Sequence, residues 1–433
     1  MKKIFFLTGM VMLLLTACHK NYPGYPGTVK SDSKLLTGWI GLHLQMIRNT
    51  TGVTHIAYSR HFSYTGVALY ESLVGGMPGY KSVASKLNGN LVVPVEPKGV
   101  KIFHPAAANA SIASMLRFFY STNINNVEAV DSLEGAYFTA FEKTIGDKFD
   151  LDASVEYGKS IAASVIEWSK QDGAGQANIA YTPLGEGYWE PTPNGFAGAN
   201  MPGWGNNRLL VSGSNTGTMP DGLIPFSKEP GSGFYQMVKE VLDVSKVLTP
   251  DQKAIALFWD DAPNGQYVSV FGHWFSVLKQ VLEKEKTSLP DGAVAYLRLG
   301  VAMNDATITC WQTKYQYHTI RPVTYIRKYM GETAWLPLIS TPPHPEYASA
   351  HSTISASGVY ALESVFGNNY AFSDHTYDGI GMSRRNFNSF DHAAKEAGQS
   401  RFYAGIQYQP SIEAGYAQGR KVGANVVSRL RTR

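Results

Sequence analysis

From Leu151 to Lys170, the residues Leu151, Val155, Gly158, Ala162, Val165 and Ile166 recur at three- and four-residue spacing, while Glu156, Lys159 and Lys170 fall off that stripe. This is the period of a helix with one buried face. Similar stripes run through residues 35–48, 55–73, 105–119, 127–143, 234–246, 251–260, 268–284 and 291–317, and two-residue alternation is scarce. In Thr249-Pro250-Asp251, Thr249 suits a helix cap and Pro250 the first helical position, where a missing amide breaks no bond; Leu289-Pro290-Asp291 reads as a second start. The pattern predicts an all-α protein, a helical bundle.

Residues 174–232 break the pattern, being dense in Gly, Pro, Asn, Trp and Tyr. Proline in Tyr181-Thr182-Pro183 and Tyr188-Trp189-Glu190-Pro191 excludes helix interiors there. So long an irregular insertion lines a site or wraps a surface. Its aromatics either receive a sugar or aryl group or plug the ends of the bundle. No Ser/Gly-rich or charged linker divides the chain, so residues 35–433 read as a single domain carrying this insertion.

The N-terminal end is a different object. Lys2 and Lys3, an apolar run from Ile4 to Leu15, and Leu15-Thr16-Ala17-Cys18 resemble a bacterial lipoprotein signal over residues 1–17, cut before a cysteine that is then acylated. Cys18 becomes a lipid anchor, and residues 18–34, with Tyr-Pro-Gly twice, a flexible tether. This places the protein in the cell envelope, periplasmic or at the outer-membrane surface. No later stretch reaches the roughly eighteen apolar residues that a span requires. The other cysteine, Cys310, then has no intramolecular partner and reads as a core residue. Charged residues are 17% of 433 and the formal charge is +4, two units of which leave with Lys2 and Lys3; that bias is too small to imply nucleic acid.

The chemistry concentrates near the C-terminal end. Lys314 precedes Arg321-Pro322 by seven residues, so on a helix the two cations share a face with His318 between them, and Pro322 would end the helix at Arg321 and free its guanidinium to swing inward. In the segment from Pro342 to Thr353, a proline-rich approach is followed by Ser349-Ala350-His351 and an apolar run. This order places Ser349 at a helix cap with the amides of Ala350 and His351 facing outward, a ready anion site over which His351 would sit. Ser400-Arg401 adds a second bidentate guanidinium. Each piece alone is unremarkable. Together they predict a pocket for a tetrahedral oxyanion of phosphate or vanadate size.

Lys-x6-Arg-Pro, a Pro-Ser-Gly-His-like element and Ser-Arg, in that order, resemble the superfamily joining vanadium-dependent haloperoxidases to type-2 phosphatidic acid phosphatases and bacterial acid phosphatases. Asn304-Asp305-Ala306 with Trp311, Phe258-Trp259, Gly272-His273-Trp274 and Gly419-Arg420-Lys421-Val422-Gly423 are similar to its soluble bacterial branch. The resemblance implies a haloperoxidase-type bundle in which Lys314, Arg321 and Arg401 neutralise the oxyanion, Ser349 and the Ala350 amide donate to it, and His351 is the acid or base. It also makes a homodimer unsurprising. Ala350 stands where the family has glycine, keeping the amide but adding a methyl.

Gln407 stands where the family has the histidine that ligates vanadium or attacks phosphorus, and Ser411 where the phosphatases have an aspartate. A primary amide is neither a useful nucleophile nor a vanadium ligand, because its nitrogen lone pair is delocalised. Of the other histidines in this third, His318, His344, His375 and His392, position favours His318 as a substitute. Two readings follow. One is an exported enzyme of haloperoxidase or acid-phosphatase type, oxidising halide with vanadate-bound peroxide or cleaving a phosphoester. The other is a non-catalytic lipoprotein binding phosphate, a phospho-ligand or a glycan. As the sequence stands, no residue ligates a metal directly.

Overall fold

The computed structural model describes residues 31–262 and 265–433; the leader, Cys18 and the tether up to residue 30 lie outside the described residues. Helices dominate, at α1 (Lys34–Asn49), α2 (Tyr58–Leu73), α3 (His104–Phe119), α4 (Ile124–Ile145), α5 (Leu151–Ser169), α6 (Gly233–Lys246), α7 (Pro250–Phe258) and α8 (Ser269–Glu285). They continue with α9 (Leu289–Tyr317), α10 (Pro322–Tyr329), α11 (Ala350–Phe366), α12 (Phe390–Tyr403) and α13 (Gln409–Arg429). The apolar stripes thus mark real helices to within a few residues. Thr249 caps α7 in a full capping box with Gln252, and α9 starts from Ser288 with Pro290 in its first turn.

The 29-residue α9 runs through the centre, buried on nearly every side against α2, α11 and α13. Close approach of α11 and α13 follows from a glycine at every fourth position. A side chain on Gly415, Gly419 or Gly423 would meet the carbonyl of Ser349, Thr353 or Ser357 at 2.6, 2.2 or 2.8 Å. That stripe locks the start of α11, and with it Ser349, against α13. A short antiparallel hairpin, which the sequence pattern does not announce, pairs β1 (Phe372–Asp374) with β2 (Arg385–Phe387).

Two expectations change. Lys314 and Arg321 do not share a helix: α9 stops at Tyr317, His318 takes a left-handed conformation (φ 49°), and Arg321 is the extended N-cap (ψ 151°) of α10. The break comes four residues earlier than Pro322 alone would place it. Residues 31–34, read as the end of the tether, are docked, because Ser33 N–H donates to Thr287 O and Leu289 N–H to Ser31 O.

The insertion holds only short 3-10 turns, at Ala174–Gln176 and Pro202–Asn206. Buried groups pin it down. The Asp305 carboxylate on α9 accepts from the amides of Leu210 (2.7 Å) and Val211 (3.0 Å) and from Ser214 Oγ (2.7 Å), and Trp189 and Trp204 are buried. For these two aromatics the structure favours the plugging role over an exposed platform. Among the described residues no helix is long and apolar enough to cross a membrane. Cys310 is free and buried in the core.

Candidate active site

Ser349 takes up the cap of α11, its Oγ accepting from the Ser352 amide at 3.3 Å. The approach from Pro342 folds back over the end of α9, so that its carbonyls face Lys314 and Arg321. Lys314 Nζ donates to Pro345 O (2.9 Å), Glu346 O (2.9 Å) and Ala348 O (2.7 Å), which uses all three ammonium protons. Arg321 donates through Nε to His344 O (2.9 Å), through Nη1 to Ile406 O (2.9 Å) and through Nη2 to His344 Nδ1 (3.0 Å). Burial pulls Lys314 down to about 8 and Arg321 to about 10.

Gln407 lies inside this cluster. Its Oε1 accepts from Ser349 Oγ at 2.7 Å and its Nε2 donates to Glu346 O at 3.0 Å. The Glu346 carboxylate, wholly buried, accepts from Ser411 Oγ (2.6 Å) and the Tyr408 amide (2.9 Å), and burial raises its pKa. Ser411, in the place of the phosphatase aspartate, therefore serves Glu346.

Arg401 and His351 occupy a second cluster. Arg401 donates to the Trp259 carbonyl and, through Nε, to Ser400 Oγ at 3.1 Å. His351 Nε2 faces Asp261 Oδ2 at 3.4 Å, and neither buried atom makes a hydrogen bond. Asp261 Oδ1 accepts from Tyr377 O–H (2.6 Å) and lies 2.7 Å from His273 Nδ1; His273 Nε2 lies 2.8 Å from Asp374 Oδ2. Burial alone would lower His273, but the two carboxylates, Asp261 first, outweigh it and push it up to about 10. His351 goes the other way: burial and the Arg401 charge take it to about 4 against the lift from Asp261.

Lys314, Arg321, Ser349, Ala350, His351, Arg401 and Gln407 therefore gather around the start of α11 and the ends of α9 and α12, but in two clusters rather than one ring of free donors; Cys18 lies outside the described residues. Lys314, Arg321, Ser349, Arg401 and Gln407 are at most 3% exposed, whereas the His351 side chain is 18% exposed. Ala350, half-buried, packs between two core clusters. His318, the substitute favoured by position, stacks on Tyr181 at 5.6 Å; the histidine that reaches the cations is His344, bonded to Arg321. Glu346, Asp261 and Asp374 went unread because nothing in their local pattern marks them. His273 lay within Gly272-His273-Trp274, a stretch noted for resemblance without a role.

The comparisons agree with the fold. A crystal structure of the first bacterial vanadium-dependent iodoperoxidase matches with TM-score 0.84 and 31% identity, over 95% of this chain and 98% of that one. Bacterial vanadium-dependent chloroperoxidase matches in its holo form at TM-score 0.64 and 14% identity (88% and 93% covered) and in its apo form at 0.66 and 15% (88% and 95%). The model of the VCPO second helical-bundle domain matches residues 295–433. None of the curated proteins matches in sequence. The chain belongs to the vanadium-dependent haloperoxidase family.

The side chains present do not fit an imidazole-ligated vanadate. Gln407, at the position that the resemblance assigns to the ligand histidine, is bonded at both ends, and all three Lys314 protons and most of the Arg321 N–H groups are taken by carbonyls and His344.

Proposed function

We propose that this chain is a lipid-anchored protein of the cell envelope that carries the haloperoxidase scaffold without vanadate-dependent or phosphatase turnover. The Lys314, Arg321, Ser349 and Gln407 cluster acts as an internal clamp on residues 342–349, and the partly exposed His351, with the Arg401 charge beside it, takes a small oxyanion or phosphorylated ligand without cleaving it. One observation carries this reading: the Gln407 carboxamide bridges Ser349 Oγ and Glu346 O, where turnover requires an imidazole free to bind or attack. Chemically, the His351 side can hold a ligand and exchange a proton with it, but the Gln407 side offers no nucleophile. The test pairs wild type with Gln407→His in vanadate titration, peroxide-dependent iodide and bromide oxidation, and p-nitrophenyl phosphate hydrolysis. Silence in wild type with activity in Gln407→His is the expected result; robust wild-type turnover overturns the proposal.

A further inference from the structure

Behind His351 lies a chain of buried groups that the clamp does not use. His273, wholly buried on α8, stands between Asp261 at 2.7 Å and Asp374 at 2.8 Å, with the Trp259 ring stacked on it at 4.2 Å. Asp374 is itself fixed by the amide (2.9 Å) and hydroxyl (2.7 Å) of Thr376, and Asp261 by Tyr377 O–H. Two carboxylates on the two ring nitrogens of one histidine leave each nitrogen a single role, that of donor. The outer oxygen of Asp261, left without a donor, faces the buried Nε2 of His351. Since Nε2 is buried, the exposed part of His351 lies elsewhere on the ring.

We infer that Asp374, His273 and Asp261 form a positioning relay that holds His351 with its proton on Nε2 and leaves Nδ1 bare on the partly exposed side of the ring. The relay does not depend on the proposed ligand-binding role. The groups facing His351 and His273 are Asp261, Arg401 from α12 with Asp260 beside it, Asp374 at the end of β1 and Tyr377 just after it.

Histidine-selective 15N NMR on the full chain between pH 5 and 9 tests the relay. The expected result is a doubly protonated His273 throughout and a neutral His351 at pH 7 protonated on Nε2. Asp374→Asn should move the His351 nitrogen resonances from two residues away, a change that a purely structural aspartate would not produce. Thr376→Val, which removes only a support of Asp374, gives the same readout in a milder variant and should shift them in the same direction. A neutral His273 at pH 7, a proton on His351 Nδ1, or unmoved His351 resonances in both variants overturns the relay. Wild-type turnover would sink the non-catalytic reading while leaving the NMR result intact.

Discussion

The two halves of the site solve the problem of buried charge in opposite ways. Around Lys314 and Arg321 the cations meet mainly carbonyl dipoles, with Glu346 as the nearby carboxylate, and Lys314 is held below its ordinary pKa. Around His273 a cation meets two full carboxylates and is held well above its ordinary value. Dipoles satisfy hydrogen bonds without repaying the whole desolvation of a charge, whereas paired ions in good geometry can do so. The first half is thus largely taken up by its own internal bonds, and the second is charged and retains atoms without a hydrogen bond at Asp261 Oδ2 and His351 Nε2.

The most severe way to break the contrast is to remove a cation from either half. Arg321→Ala orphans the carbonyls of His344 and Ile406, and His273→Asn leaves Asp261 and Asp374 without a counter-charge; each should cost about 3–5 kcal/mol in urea unfolding. A loss below about 1 kcal/mol in Arg321→Ala would mean that the clamp is not a structural node. Gln407→His should cost less, about 1–2 kcal/mol, because one bridging bond is replaced and one is lost.

The pH dependence of stability separates the halves by sign. His273, raised from 6.5 to about 10, stabilises fully below pH 6.5, and that contribution fades as pH rises through 10. Lys314, lowered from 10.5 to about 8, acts in the opposite sense: its folded form favours loss of the proton, so its contribution is complete above 10.5 and is lost as pH falls through 8. The curve for wild type minus His273→Asn, from thermal melts between pH 6 and 10, should therefore decline steadily toward alkaline pH. The smallest effect is expected for His351→Ala, within about 1 kcal/mol, since that side chain is partly exposed and has one long contact. Its consequence should appear in ligand binding and hardly at all in stability.

Much of this was legible in the chain itself. Helical stripes, Thr249 and Ser349 as caps, and the order of Lys314, Arg321, Ser349, His351 and Arg401 depend on spacing along a few turns, and spacing is what a sequence records. The mismatch at Gln407 was equally visible, because it is a matter of residue identity. What spacing does not record is direction. That Lys314 turns its ammonium onto the carbonyls of residues 345–348, that His344 rather than His318 meets the cations, and that Asp261, His273 and Asp374 converge across more than a hundred residues were decided by the packing of α8, α9, α11 and α12. Hydrogen bonds act within about 3 Å, and only the assembled fold brings distant donors and acceptors to that range.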